Sequence, residues 1–266
     1  MLEFDLLRAT ILALIQGLTE FLPISSSAHL LLPSILLGWE DQGLAFDVAV
    51  HFGTLLAVIG YFRHDIMAIL RGMIAQAVAG QASAEARLGW SLAIATVPVI
   101  IAGFLLKDVV DQYLRDMRVV AATTIVFGLL LWVADRKRAT ISNVQQIGWR
   151  SAVVIGLAQI LALVPGTSRS GITTTAALFC GLDREAASRF SFLLSIPVIA
   201  GAALFLLVDL LQSTGVNWGE LAYALLLSML TAWGCIHYFL KFIARVGFLP
   251  FVVYRVALGL ALLYLL

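Results

Sequence analysis

Residues Pro165–Thr173 read Pro-Gly-Thr-Ser-Arg-Ser-Gly-Ile-Thr and interrupt a long apolar run. Residues 151–164 before this stretch and residues 172–182 at its end carry no charged side chain. A proline removes a main-chain donor and disfavours helix at the preceding residue, so one helix should end here and another begin. An arginine in such a setting is costly unless it faces protein, water or an anion. We interpret the stretch as a functional bend at membrane depth; the alternative is an interfacial loop whose Arg169 reaches lipid headgroups.

The composition indicates a polytopic membrane protein. Of the 266 residues, 61% are hydrophobic and 12% are charged, which is too little charge for the surface of a soluble domain. The formal net charge of +1 gives no basic footprint for nucleic acid, so we expect no nucleic-acid partner. Cys180 and Cys235 lie in apolar runs without metal-ligand spacing. The first residues lack the basic segment of a signal peptide, so the first apolar segment is expected to belong to the fold.

Apolar stretches of two lengths define the predicted fold. Six are long enough, or nearly so, to cross about 30 Å of hydrocarbon: residues 48–62, 88–106, 119–134, 190–208, 221–240 and 246–266. Four others are too short at 1.5 Å per residue: residues 9–22 and 25–38 around Pro23, and residues 151–164 and 170–182 around Pro165. Each short pair is predicted to form a re-entrant hairpin of two half-helices, which needs cover from protein or water. The expected fold class is all-α, with six transmembrane helices and two re-entrant half-helix hairpins.

Matching motifs in the two hairpins indicate an internal repeat. Gln16 and Glu20 precede Pro23 and its serines, much as Gln159 precedes Pro165 and a second hydroxyl cluster. Further along, Asp47-x3-His51-Phe52 parallels Glu185-x3-Arg189-Phe190. The alternative is chance similarity between two apolar, serine-rich segments.

The repeat predicts an inverted architecture within a single membrane domain, residues 1–266. Repeat 1, about residues 1–134, would hold hairpin 9–38 and three spans. Repeat 2, about residues 150–266, would hold hairpin 151–182 and three spans. Because three is odd, the second copy enters the membrane upside down relative to the first, as in membrane proteins whose site is built from broken helices.

The distribution of Lys and Arg predicts the orientation. With the C-terminus outside, segments 63–87, 135–150, 184–189 and 241–245 are cytoplasmic and carry most of the basic residues, as the positive-inside rule requires. The first hairpin then enters from outside and the second from the cytoplasm. Their tips are therefore expected to meet inside the bilayer.

The helix starts after the two bends are predicted to bind an anion. Such starts carry unsatisfied N–H groups and the positive end of a helix dipole. Ser25, Ser26 and Ser27 stand at one start, and Thr167, Ser168 and Ser170 at the other. Together with Arg169 they suit phosphate, whose oxygens an arginine binds in pairs. Read singly, each hydroxyl residue is also explained as a plain N-cap.

Reactive groups lie beside this anion site. Gln16 and Glu20 are four residues apart and share a helix face, and Ser26 and His29 are three apart and share another. A carboxylate this deep in apolar sequence should be protonated, paired or functional, and pairing with Arg169 is the structural alternative. Hydroxyl, imidazole, carboxylate and guanidinium supply the nucleophile, acid/base and charge stabiliser of phosphoryl transfer.

Two more polar residues stay without an assigned role. His51 is expected to line the site or to cap a polar pocket. Arg255, within the last predicted span, has no evident partner, and we make no site prediction for it.

These motifs resemble the undecaprenyl-diphosphatase family, the bacitracin-resistance protein of bacteria. Gln16-x3-Glu20, then Pro23–His29, and later Pro165–Thr173 match the patterns E/Q-x3-E and PGxSRSxxT, and the similarity in length and hydropathy covers essentially the whole chain. The resemblance implies an enzyme of the bacterial inner membrane that removes the terminal phosphate of undecaprenyl diphosphate and recycles the peptidoglycan lipid carrier. It also implies an inverted-repeat fold with an active site open to the periplasm.

The resemblance also implies roles for individual residues. Glu20, Ser26, His29 and Arg169 match positions held to be catalytic, and Ser168, Ser170 and Thr173 match the phosphate-binding motif. We add Gln16, Ser25 and Ser27 to the predicted phosphate-binding set. Gln16 stands where the pattern also allows Glu, which removes one carboxylate, and Ala28 stands where glycine often precedes the histidine.

The family's cofactor is implied to be Mg²⁺ or Ca²⁺. Glu20 is the only evident acidic ligand in the motifs, so we expect the cation to arrive bridged by the diphosphate.

The leading hypothesis is a phosphohydrolase acting on a polyprenyl diphosphate whose tail lies between helices. Ser26 would attack the distal phosphorus, with Glu20 or His29 accepting its proton; direct attack by His29, with Ser26 as a ligand, stays open. A rival is a flippase or carrier of a phosphorylated lipid, because an inverted repeat around an anion site is also transporter architecture. A carrier needs the anion cradle but not Ser26, Glu20 and His29 together. A homodimer and the preferred lipid length are left open.

Overall fold

A computed structural model describes residues 6–39, 43–114, 116–212 and 217–265 of the protein. Regular structure in these ranges is helical, apart from one isolated β-bridge between Ile141 and Leu182. In chain order the helices are α1 (Leu6–Thr19), α2 (Ser26–Leu37), α3 (Leu44–Tyr61), α4 (Arg63–Ala79), α5 (Ala84–Tyr113), α6 (Met117–Asp135), α7 (Trp149–Ile160), α8 (Arg169–Phe179), α9 (Arg184–Gln212), α10 (Trp218–Val246) and α11 (Leu249–Tyr264). Short 3-10 turns lie at Val144–Gln146 and at Leu161–Leu163, where the latter extends α7.

Long apolar helices confirm a multi-pass membrane protein. Within the described ranges, five segments are long and apolar enough to cross a membrane: α3, Ala84–Leu106 of α5, α6, Arg184–Leu204 of α9, and α10. They coincide with five of the six predicted spans.

The sixth predicted span, residues 246–266, is shorter than the sequence suggested. It forms α11, whose 16 residues rise about 24 Å. The difference arises at its start, where Gly247 has a φ of 71° and ends α10, and where Pro250 lies in the first turn of α11. Glycine tolerates this backbone region because it has no Cβ, and proline favours a helix start.

The helices around the two predicted bends are short; the first bend contains Pro23 and joins α1 to α2, and the second contains Pro165 and joins α7 to α8. α1 and α2 have 14 and 12 residues, and α7 and α8 have 12 and 11. At 1.5 Å per residue, each is well short of the roughly 30 Å hydrocarbon core. The predicted helix breaks at Pro23 and Pro165 are both present, with boundaries shifted by a few residues.

Close helix packing brings the two bends together. α1 packs on α10 and α7 packs on α5, while α3 lies against both α9 and α10. A Cβ on Gly17 would lie 2.7 Å from the Thr231 Cβ of α10, and one on Gly156 would lie 2.8 Å from the Ala95 Cα of α5. Only glycine allows backbones to approach this closely. The short helix α8 packs against α6, α7 and α9, which buries its hydroxyl-rich face.

Candidate active site

Two serines with unusual backbone conformations begin the half-helices. Ser25 and Ser168 have φ values of 73° and 71°, and they are the only non-glycine residues of the described ranges with positive φ. Their hydroxyls accept hydrogen bonds from Ala28 N (3.4 Å) and Gly171 N (3.1 Å) at the starts of α2 and α8. Such a conformation costs on the order of 1–3 kcal/mol and is most common at functional sites.

The two bends are in direct contact, as the sequence led us to expect. Arg169, the first residue of α8, donates from Nη2 to Glu20 Oε1 at 2.8 Å. Ser170 donates from its hydroxyl to the Leu22 carbonyl of the first bend, also at 2.8 Å. Groups about 150 positions apart in the chain therefore form one site.

Glu20 is the centre of this network. Its Oε1 accepts from Arg169, while its Oε2 accepts from Gln16 Nε2 at 3.0 Å and from the Ser26 hydroxyl at 2.9 Å. The Glu20 and Arg169 side chains are 8% and 13% exposed, so this ion pair is mostly shielded from solvent. The pairing that the sequence left as an alternative is present, and the carboxylate contacts the candidate nucleophile as well.

A cavity of about 440 Å³ opens onto these groups. Six of the predicted site residues line it: Glu20, Ser25, Ser26, Ser27, Ser168 and Arg169. Its polar wall therefore includes residues from both bends, and α3 and α9 also contribute apolar side chains such as Val48 and Ala203.

The structure does not bring the other four predicted residues to the cavity wall. Gln16 is fully buried and holds Glu20. Ser170 bridges to the first bend, and Thr173 donates to the Arg169 carbonyl at 2.8 Å and contacts the Ser191 hydroxyl at 2.7 Å. These residues support the groups of the site from behind.

His29 points away from the cavity. Its Nδ1 lies 2.6 Å from the carbonyl oxygen of Ser25, and its Nε2 lies 2.5 Å from the Tyr254 hydroxyl of α11. A carbonyl can only accept, so Nδ1 carries a proton, and in the neutral ring Nε2 accepts from the tyrosine. The shared face with Ser26 that residue spacing predicted does not extend to a shared cavity, because α11 packs over the imidazole.

His51 occupies the position by the carboxylate that was expected for His29. It lies on α3, lines the cavity, and has its Nε2 4.0 Å from Glu20 Oε2. Its Nδ1 lies 2.7 Å from the Asp47 carbonyl, which leaves the lone pair of Nε2 facing the cavity when the ring is neutral. Asp47 lines the same wall. The sequence signal for both was their spacing of four residues on the helix that follows the first hairpin.

Arg255 was missed by the sequence analysis. The residue is fully buried in α11, and its guanidinium donates to the carbonyls of Pro23, Gly166 and Thr167 in the two bends. An ionisable residue within an apolar span is expected to be functional. The position of Arg255 in the last predicted span was therefore the sequence signal that could have identified it.

The described residues provide no preformed metal cage. Within them, no group of three or more His, Cys, Asp or Glu side chains is arranged to hold a metal ion. The carboxylates on the cavity wall are Glu20 and Asp47, and both oxygens of Glu20 already accept hydrogen bonds. A divalent cation at this site would therefore depend on oxygens of a ligand.

The arrangement is suited to phosphoryl transfer. A hydroxyl in contact with a carboxylate provides a nucleophile with an adjacent base. Arg169 and the two helix starts provide positive charge and donors for phosphate oxygens. The apolar side chains beside them lower the local polarity, which strengthens these interactions.

Comparison with known proteins gives a consistent result. A family model described as "Bacitracin resistance protein BacA" matches residues 9–261. The chain is 57% identical over 258 residues to a protein of Hahella chejuensis (strain KCTC 2396) named undecaprenyl-diphosphatase, and the match covers 97% of each chain.

Proposed function

The chain belongs to the bacitracin resistance protein BacA family, and from that premise we propose how its two bends carry out the family's reaction. The protein is an undecaprenyl-diphosphatase, a membrane hydrolase that converts undecaprenyl diphosphate to undecaprenyl phosphate for cell-wall synthesis. The observation that carries the mechanism is the continuous chain of contacts from Ser26 through Glu20 to Arg169 at the cavity wall.

In the first step, Arg169 exchanges Glu20 for the oxygens of the distal phosphate. The Ser26 oxygen attacks that phosphorus while Glu20 Oε2, 2.9 Å away, accepts the hydroxyl proton. The bond between the distal phosphorus and the bridging oxygen breaks, and undecaprenyl phosphate leaves with the bonding electrons. Arg169 and the amides at the starts of α2 and α8 stabilise the charge on the transferring group.

In the second step, water cleaves the phosphoserine. Glu20 first loses the proton that it took from Ser26, and His51, 4.0 Å from Glu20, is placed to pass that proton to the open side of the cavity. Glu20 then accepts a proton from the attacking water and donates it to the Ser26 oxygen as the bond between that oxygen and phosphorus breaks and inorganic phosphate departs. Glu20 therefore acts in both steps, which fits its position between the nucleophile and the phosphate-binding arginine.

We also propose that a divalent cation, Mg²⁺ or Ca²⁺, accompanies the substrate. Its oxygens would come mainly from the diphosphate, with Asp47 and Glu20 as the carboxylates on the wall. The cation would neutralise charge on the diphosphate, and no step above depends on it.

His29 is proposed to position the first helix start rather than to transfer a proton. Its imidazole holds the carbonyl of Ser25, the residue with positive φ that begins α2. We expect His29→Asn, whose amide can still donate to that carbonyl, to stay within about tenfold of the wild-type kcat, because one hydrogen bond contributes about 1 kcal/mol. His29→Ala should lose more activity, and both variants should keep the pH dependence of kcat. Loss of one limb of the pH–rate profile in either variant would identify His29 as a proton-transfer group.

An apolar groove beside the cavity suits the polyprenyl tail. It has a volume of about 480 Å³ and lies between α3, α9 and α10. Val48 and Ala203 line both the groove and the cavity, so the two adjoin. Aromatic and aliphatic side chains such as Phe52, Leu225 and Trp218 make up its wall. A lipid diphosphate can thus place its head at Arg169 and its first isoprene units in the groove.

Filling this groove should discriminate between long and short substrates. Ala200 lines it and is exposed to it, and we expect Ala200→Trp to raise KM for undecaprenyl diphosphate about tenfold. Burial of each CH₂ group contributes about 0.8 kcal/mol, so displacing one isoprene unit from the groove is sufficient for a tenfold increase in KM. Hydrolysis of a diphosphate ester too short to reach the groove, such as methyl diphosphate, should change much less. Ala93→Trp, on the exposed face of α5, is the matched control; an equal KM increase in both variants would argue against the groove.

We further propose the inverted repeat and the orientation that the sequence predicted. In the proposed repeat, α1 corresponds to α7, α3 to α9 and α5 to α10. The contact between α1 and α10 then corresponds to the contact between α7 and α5, and the contact between α3 and α10 corresponds to that between α9 and α5. The matching φ values of Ser25 and Ser168 add independent support. In this arrangement the cavity opens to the periplasmic side of the inner membrane, and the site is complete within one chain, so hydrolysis needs no second copy.

Release of inorganic phosphate tests the function directly. Purified protein in detergent, where transport has no meaning, is expected to release one phosphate per undecaprenyl diphosphate. A phosphorylated-lipid carrier would bind the lipid without releasing phosphate, and that outcome would favour the flippase alternative.

A further inference from the structure

Arg255 donates all of its described hydrogen bonds to main-chain carbonyl oxygens. The side chain is fully buried in α11. Nε donates to Thr124 at 3.0 Å, Nη1 to Pro23 at 3.2 Å, and Nη2 to both Gly166 and Thr167 at 2.9 Å. Pro23 belongs to the first bend, and Gly166 and Thr167 belong to the second. One planar group therefore connects both bends to each other and to α6.

We infer that Arg255 is a positioning residue for the hydrolysis reaction, which holds the two bends in register and aims the Ser168 amide at the substrate. The inference rests on the proposed function of the cavity. Arg255 itself is absent from the cavity wall, so it acts through the main chain that it binds.

The geometry of the peptide between Thr167 and Ser168 gives the reason. In a trans peptide the C=O and the N–H point in opposite directions. Because the Thr167 carbonyl points at Arg255, the Ser168 N–H points away from it. Ser168 lines the cavity, whereas Arg255 does not. An amide fixed in this way is a preorganised donor for phosphate oxygens, and its orientation needs no change during the reaction.

Packing around the guanidinium leaves little freedom for another arrangement. A Cβ on Gly171 of α8 would lie 2.8 Å from Arg255 Nη1, and one on Gly128 of α6 would lie 3.1 Å from the Arg255 Cβ. α6 and α8 therefore press against the side chain directly. A lysine would keep the charge, but its single nitrogen cannot reproduce a planar fork that reaches carbonyls in three segments.

Steady-state kinetics of purified Arg255→Lys and Arg255→Gln test the inference. We expect kcat for undecaprenyl diphosphate to fall about 10²-fold in the lysine variant and further in the glutamine variant, as for loss of an oxyanion-type donor. KM should stay within about threefold, because Arg169 and the groove still bind the substrate. Arg245→Gln, an exposed arginine at the end of α10, is the matched control and should keep the wild-type kcat.

A purely structural role gives a different result. It would lower the amount of folded protein while leaving kcat per folded molecule unchanged, so each variant is assayed after size-exclusion chromatography and a thermal melt. Wild-type kcat per folded molecule in Arg255→Lys would overturn the inference, and that variant decides the question if Arg255→Gln does not fold. Absence of phosphate release by the wild type would instead contradict the proposed function.

Discussion

Arg169→Gln should release phosphate from undecaprenyl diphosphate at least about 10³-fold more slowly than the wild type. An arginine that stabilises a transferring phosphoryl group is worth about 10³- to 10⁵-fold in kcat. Arg169 is the guanidinium on the cavity wall, and it is held there by the carbonyl of Ser191 at 3.1 Å as well as by Glu20. Arg169→Lys should restore little, because an ammonium group cannot bind two phosphate oxygens in a planar fork.

The control for Arg169 is another arginine that pairs with a carboxylate. Arg189 contacts Asp65 at 3.0 Å, and both side chains are about one-third exposed. Exposed ion pairs of this kind contribute little, so Arg189→Gln should stay within about threefold of the wild-type kcat. An equal loss in the two variants would mean that the effect of Arg169 is structural, and activity near the wild type in Arg169→Gln would contradict the site described above.

Ser26→Ala should abolish turnover, with a loss in kcat of at least about 10⁴-fold. Removal of a covalent nucleophile that works with an adjacent base typically eliminates all but the residual rate from binding and charge stabilisation. Substrate binding should persist, because Arg169 and both helix starts are unchanged. Binding is measured by isothermal titration with the intact lipid diphosphate, and kcat by phosphate release.

The matched control for Ser26 is Ser142→Ala, which removes an exposed hydroxyl from a connecting segment. It should behave as the wild type. If Ser26→Ala retains a tenth or more of the wild-type kcat, Ser26 is not the nucleophile, and water or His29 attacks the phosphorus instead.

The central part of the site could be predicted because its constraints are local. Pro23 and Pro165 each disfavour helix at the residue before them, and the hydroxyl residues that follow are strong helix caps. The charges of Glu20 and Arg169 were the second indication of a site, because each needs a partner or a substrate at membrane depth. The 2.8 Å contact between them is the pairing that the sequence left open as the structural alternative.

Other features depend on tertiary packing that a single sequence does not display. The partners of Arg255 are carbonyl oxygens, which every residue has, so no side-chain pattern marks them. The spacing of Ser26 and His29 fixes their relative directions on α2 but not which neighbour each one faces, and α11 covers His29. His51 reaches the carboxylate because α3 packs beside the first bend, a contact between distant elements.

The most direct test of the composite site is the location of a trapped phosphoenzyme. Wild-type protein is mixed with undecaprenyl diphosphate labelled in its distal phosphate, quenched within milliseconds, and digested for mass spectrometry. A phosphoserine at Ser26 that is absent from Ser26→Ala is the predicted result. An acid-labile label on His29, or release of phosphate in a single turnover without any labelled protein, would contradict the account.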